Sequence, residues 1–278
     1  MIYCKLINTT SVIEGDRMEH EIHCNYRAVG KDGLQNVRYT HDCHTEILFV
    51  ESGDGSLVIG DKIYPLQGSS VYFIDKNTVH YSAPIAENSY IRSVVSIASD
   101  YLSELCRITG YGELLARLIE IGGIALDSAA AERVRALVVA ISDGDRRRSV
   151  FSLLSLFDLA DREGRRVYVP DTKVSALIAY VGEHITEPLS LDAISAALFV
   201  SKYYMCHLFK ATTGMSITHY ILLQRFALSK RLLVSTEKTV SEISSLSGFS
   251  DITYFSRVFR KNTGLSPSEY RKRYRENA

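Results

Sequence analysis

A chain of 278 residues, 46% hydrophobic, is long enough for two domains and can bury a core in each. No apolar stretch is long enough to span a bilayer, and MIYCKLINTTSVIEGD has no basic-then-apolar leader pattern; the expected location is the cytoplasm, with no membrane partner. Five cysteines (Cys4, Cys24, Cys43, Cys106, Cys206), odd in number and without a CxxC pair, argue against a disulfide frame or a zinc knuckle.

Net charge is zero, yet it is unevenly placed. Residues 1–171 carry 18 Lys/Arg against 24 Asp/Glu, a net −6, and residues 172–278 carry 14 against 8, a net +6. Such a split points to a polyanion partner for the C-terminal part alone.

Residues 1–97 read as β. TEILFVESGDGSLVIGDKIYPLQGSSVYFIDKNTVHY is a series of short apolar runs cut by turn pairs at 53–55, 60–61 and 67–70, as in a small sandwich or barrel. Residues 98–168 turn helical. Leu102, Leu105, Cys106 and Ile108, then Leu114, Leu115, Leu118 and Ile119, give an amphipathic pair broken near Gly110 and Gly112. ERVRALVVAIS and SVFSLLSLFDLADR give two further helices. An apolar stripe on helices outside a core needs a partner, so this region is expected to form a homodimer. DREGRRVYVPDTK, residues 161–173, is the expected linker.

Residues 172–278 contain an internal repeat. LDAISAALFVSKYYMCHLFKATTG echoes VSEISSLSGFSDITYFSRVFRKNTG, pairing Ile194 with Ile243, Ser201 with Ser250, Phe209 with Phe259 and Gly214 with Gly264. The offset grows from 49 to 50, so the second copy has one extra residue. Each copy reads as a short helix, a tight turn and a second helix, about 190–212 and 239–263, which is a helix-turn-helix pattern. Thr239 with Glu242 and Ser266 with Glu269 form capping boxes, Pro267 takes a first helical position, and SITHYILLQRFALSKRLLVS reads as one long helix holding both units.

A helix that enters the major groove buries one face and offers polar or basic groups on the other. In the second unit Phe255, Val258 and Phe259 form the inner stripe. Ser250 is expected as N-cap, with Asp251 at the first helical position. Asp251, Ile252, Thr253, Ser256 and Arg257 are candidates for base edges, and Arg260 and Lys261 for phosphates. Arg257 has the planar fork that matches guanine O6 and N7. In the first unit Met205, Leu208 and Phe209 face inward, leaving Lys202, Tyr203, Cys206, His207 and Lys210 outside.

GFSDITYFSRVFRKNTGLSPSEYR resembles the signature of the AraC/XylS family of bacterial transcription regulators, in register through the turn Gly-Phe, the SRVF core, the Gly and the SP-x-x-YR tail. The resemblance covers about residues 172–278. It implies two helix-turn-helix units set in adjacent major grooves of double-stranded DNA, with base contacts at Tyr203, Cys206, His207 and Lys210 and at Thr253, Ser256 and Arg257. It also implies contact with RNA polymerase. Phe199 stands where the family usually has a small turn residue, and His207 where a longer cation is common.

YTHDCHTEILFVESGDG and DKNTVHY are similar to the two motifs of the cupin-type effector domains that many such regulators carry. The implied architecture is α+β and multidomain: a cupin-like β-barrel, a helical dimerisation region, and an all-α tandem helix-turn-helix domain. A metal cupin wants His-x-His, then Glu, then a later His. Here Tyr39 takes the first position, while His41, Glu46 and His80 remain, with His44 off register. The expected role is therefore a pocket for a small-molecule effector such as a sugar, with Arg38, Tyr39, His41, His44, Glu46 and His80 as candidate contacts and no cofactor. Two other readings stay open: a metal-dependent cupin enzyme with a regulatory C-terminal domain, and a ligand-independent DNA-binding protein. No GxSxG, HExxH or phosphate loop occurs to support any other catalytic chemistry, so an enzyme is not expected.

Overall fold

The computed structural model describes residues 21–29, 44–76, 78–86, 89–170 and 172–275. Seven strands come first: β1 (Ile22–Val29), β2 (His44–Ser52), β3 (Asp54–Ile59), β4 (Lys62–Gln67), β5 (Ser70–Ile74), β6 (His80–Pro84) and β7 (Ile91–Ala98). Four helices follow: α1 (Ser99–Thr109), α2 (Gly112–Ile121), α3 (Ser128–Ser142) and α4 (Arg146–Glu163). The stretch expected to be wholly helical also contributes β8 (Gly123–Ala125) and β9 (Arg165–Arg166). The larger sheet has the order β1-β7-β2-β5-β8-β9, and β4-β3-β6 form the smaller one.

The near-continuous apolar run of β2 has a physical reason, because both faces of that strand are covered. Ile47 and Phe49, with Val71, Phe73, Val95 and Ile97, pack outward on the helices, where they meet Leu102, Leu118, Val134, Leu153 and Phe157. Leu48 and Val50, with Tyr72 and Ile74, pack inward on Leu57, Ile59, Tyr64 and Leu66 of the smaller sheet. The main apolar stripes of α3 and α4 are thus occupied within the chain. Arg135 of α3 adds a charged tie to β2, its Nε donating to Glu51 Oε2 at 3.0 Å.

Residues 161–173 differ from a free linker. β9 pairs with β8, and Val167 is buried against the inner core. The backbone of a polar, Arg-rich segment completes the sheet edge, which needs no side-chain pattern. Cys24, Cys106 and Cys206 are free thiols, and burial pushes Cys24 up to about 12.

The C-terminal part is α5 (Lys173–Glu183), α6 (Leu191–Ala197), α7 (Lys202–Thr213), α8 (Ile217–Ser235), α9 (Val240–Leu246), α10 (Ile252–Thr263) and α11 (Pro267–Arg275). Both capping boxes form: Thr239 N–H donates to Glu242 Oε2 at 2.7 Å, and Ser266 N–H to Glu269 Oε2 at 2.7 Å. α7 and α10 each end on a left-handed glycine, Gly214 (φ 77°) and Gly264 (φ 76°).

Each copy of the repeat also runs further than its helix-turn-helix. Ser216, Tyr220 and Arg225 recur as Ser266, Tyr270 and Arg275, so α11 repeats the first half of α8. The bonds recur with the residues. Arg225 Nε donates to Ile185 O and Arg275 Nε to Val234 O, both at 3.0 Å, and the Nη2 groups reach Glu187 O and Thr236 O.

The turns of the two units differ in length by one residue, and in residue type at the left-handed position. Gly248 has φ 80° and its counterpart Phe199 has φ 52°, with the phenyl ring 95% exposed. A left-handed residue with a side chain is strained by ~1–2 kcal/mol. Phe199→Gly relieves that but adds unfolded-chain entropy worth ~0.5–1 kcal/mol. Urea denaturation should therefore show a net gain of roughly 0.5–1 kcal/mol from this exchange.

Candidate functional site

α10 begins one residue later than expected. Asp251, not Ser250, is the N-cap, its Oδ1 accepting from Tyr254 N–H at 2.8 Å. The extra residue of the second copy lengthens the turn and moves the cap. Phe255 and Phe259 are fully buried with Phe226, Phe249, Ile243 and Tyr270, ring centroids 5.0–5.6 Å apart. Thr253, Arg257, Arg260 and Lys261 are exposed on the other side, and Ser256 is half-buried between them. The Arg257 guanidinium lies over the Tyr254 ring, 5.6 Å from its centroid.

α7 repeats the arrangement. Met205 and Phe209 are buried, Lys202, Tyr203, His207 and Lys210 are exposed, and Cys206 is half-buried. Tyr203 stacks on His207 one turn away with centroids at 6.4 Å, and Lys202 Nζ pairs with Asp192 at 2.9 Å. Two helices of the same length thus present outward faces rich in nitrogen donors.

A second feature is a cavity of about 460 Å3 at one end of the facing sheets. Its polar wall comes from the inward positions of β2 and β7, where Glu46 and Ser96 are register partners. Glu46 is 4% exposed; its Oε1 accepts from Ser96 Oγ at 3.0 Å, and its Oε2 lies 2.9 Å from His80 Nε2. His80 Nδ1 is 2.9 Å from the Thr78 carbonyl, which only accepts, so Nδ1 carries a hydrogen.

Leu48, Leu57, Ile74 and Val94 line the apolar side. Tyr81 to Ile85 of the β6 segment and Ala211 to Gly214 at the end of α7 also line the cavity. Burial pushes the phenols of Tyr81 and Tyr220 upward, so both stay neutral hydroxyls. The Tyr81 hydroxyl is buried beside Thr213 without a completed hydrogen bond.

Of the expected pocket residues, Glu46 and His80 come together on the wall. His44 opens β2 opposite Ala98, off the cavity wall, while Arg38, Tyr39 and His41 lie outside the described residues. No group of three metal-ligating side chains occurs among the described residues. The sequence reading missed His23, Asn25, Arg92 and Ser96, which also line the cavity. The period-2 alternation of IHCNYRAV was the signal for His23 and Asn25, while IRSVVSIA has no such alternation to mark Arg92 and Ser96. Thr212 and Thr213 carry no such signal, since at helical spacing they read as the tail of α7.

Residues 31–155 match the AraC-like ligand binding domain, and residues 194–273 match a helix-turn-helix domain. The regulatory protein SoxS of Escherichia coli K12 is 34% identical over 100 residues, 36% of this chain and 94% of SoxS. The HTH-type transcriptional regulator YijO of the same strain is 36% identical over 99 residues, but this chain takes in 35% of its length. The HTH-type transcriptional activator RhaR of Pectobacterium atrosepticum is 26% identical over 248 residues, 84% of this chain and 86% of RhaR.

Proposed function

Because the chain belongs to the AraC family of transcriptional regulators, we propose that α7 and α10 read adjacent major grooves of one DNA duplex under control of an effector bound in the 460 Å3 cavity. The observation that carries this is the pair of outward faces held by one repeated scaffold. Tyr203, Cys206, His207 and Lys210 take base edges from α7, and Thr253, Ser256 and Arg257 take them from α10. Lys202, Arg260 and Lys261 take phosphates, with Lys202 exchanging its Asp192 partner for one. Selection of bound DNA from a random pool with the full chain tests this. A motif spanning two successive major grooves is expected, and no enrichment would remove the reading.

Phosphate and base contacts separate by salt. Lys261→Ala should weaken all sequences about equally and flatten the slope of log K against log salt by roughly 1. Titration of specific and scrambled duplexes at several salt concentrations checks it.

The effector is a small hydroxylated molecule such as a sugar, its hydroxyls meeting Glu46, His80 and Ser96 and its carbon skeleton meeting Leu48, Leu57 and Val94. Calorimetric titration with a sugar panel tests this, with Glu46→Gln as the control expected to lose the heat. With His80 and Ser96 both on Glu46, the wall is organised for hydrogen bonding more than for a metal, which favours the regulator over a cupin enzyme. The protein acts as a homodimer through α1 and α2, where Leu114, Leu115 and Ile119 are half-buried and Ile108 is exposed. Contact with RNA polymerase completes the activity, and sedimentation and transcription assays test these two parts.

A further inference from the structure

The sheet registers lay out the polar wall of the cavity as a grid. β1, β7 and β2 are neighbours, and His23, Ser96 and Glu46 are partnered across them. Two residues along each strand, Asn25, Val94 and Leu48 make the next row. A further step on β7 brings Arg92 to the same wall. Residues two apart share a face, so the rows follow at about 7 Å and Arg92 stands about 13 Å of strand from Ser96.

The two ends of this grid differ in charge. Glu46 holds one end, with Ser96 Oγ at 3.0 Å and His80 Nε2 at 2.9 Å. Arg92 holds the other; it is 6% exposed, and its guanidinium is permanently cationic. Among the described residues no other Lys or Arg lines the cavity. The Tyr90 ring lies against the guanidinium, its centroid 4.7 Å from Cζ, and the Tyr90 hydroxyl shares a hydrogen bond with Ser82 Oγ at 2.9 Å. Tyr90 is fully buried, so the ring is fixed and steadies the fork.

We infer that the cavity takes a sugar acid of disaccharide length, with its single carboxylate on Arg92 and its far hydroxyls on Glu46, Ser96 and His23. This rests on the effector reading above and names the ligand class for it. A planar carboxylate accepts two parallel N–H bonds from a guanidinium, which a neutral hydroxyl cannot match. One sugar ring at the Glu46 end leaves Arg92 out of reach, and one ring at Arg92 leaves the Glu46 end unused. A volume of about 460 Å3 has room for the longer molecule. Leu48 and Val94 in the middle row meet its C–H faces, and Asn25 a ring or bridging oxygen. A second acid group at the far end would meet Glu46, so one acidic terminus is selected over two.

Calorimetric titration of the full chain compares lactobionate, cellobionate and maltobionate with lactitol, cellobiitol and maltitol. Each pair differs only in a carboxylate against a CH2OH group. At least one acid should bind roughly 10- to 100-fold more tightly than its alditol, the size of one charge-assisted pair. Gluconate, which carries the same acid end without the second sugar, should bind more weakly than that acid. Arg92→Gln should erase the preference for acid over alditol. Arg92→Lys should keep part of it, since it supplies charge without the fork. Glu46→Gln should weaken acid and alditol alike, because it acts at the other end.

The ligand pairs are read on the unaltered chain, so the comparison stands even if Arg92→Gln does not fold. Alditols that bind as tightly as their acids would overturn the inference and leave the effector reading intact. So would gluconate binding as tightly as the longer acids, or an acid preference that survives in folded Arg92→Gln protein. Absence of binding by all three acids also overturns it, and the sugar panel then decides separately whether the cavity holds an effector.

Discussion

Gly248→Ala should destabilise the second helix-turn-helix unit by about 2–5 kcal/mol, the sum of left-handed strain and overpacking. A Cβ at Gly248 would stand 2.5 Å from Ile185 O and 2.6 Å from Arg225 Nε, on a backbone with φ 80°. Neither neighbour can move cheaply. The first is backbone, and the second is tied by its bonds to Ile185 O and Glu187 O. Relief requires shifting the α5–α6 loop, which joins the two units at this point. Denaturation in urea, followed through the α9–α10 amides, should show the loss there first. Phe199 makes the comparison sharp, because the same turn conformation with open space around it tolerates a phenyl ring. A stable Gly248→Ala protein would mean that the Arg225 tie is loose.

The helix-turn-helix repeat was legible because its signals are local. Ile194 and Ile243, Phe209 and Phe259, and two terminal glycines recur at nearly constant spacing, and each is fixed by burial or by a left-handed backbone. The extension of each copy into α8 and α11 was not. ITHYILLQR and PSEYRKRYR share only Tyr and Arg, and what unites them is the pair of carbonyls that each arginine holds. The N-cap of α10 slipped by a residue because Ser250 and Asp251 both suit that role, and only the longer turn decides between them. Among the sheet residues, Glu46 and His80 stood out by residue type. Arg92 and Ser96 required knowing which face of β7 turns inward. The α7 wall of the cavity arises from docking between domains far apart in sequence, which no periodicity encodes.

Arg257→Ala should weaken binding to the selected DNA site by ~1–3 kcal/mol, or roughly 5- to 150-fold, and relax the preference at one base pair. The residue sits on the exposed face of α10, opposite the buried Phe255 and Phe259, so its removal leaves the core untouched. The Tyr254 ring beneath the guanidinium holds the fork before DNA arrives and reduces the ordering cost of binding. Asp251, close enough to interact with it, caps the same helix and keeps its own carboxyl below the usual range through bonds to backbone N–H groups. Arg257→Lys restores the charge without the bidentate geometry, so it should recover affinity for all sequences but not the base preference. Repeating the DNA selection with both variants separates these contributions. An unchanged motif from Arg257→Ala would show that this face of α10 contacts only phosphates.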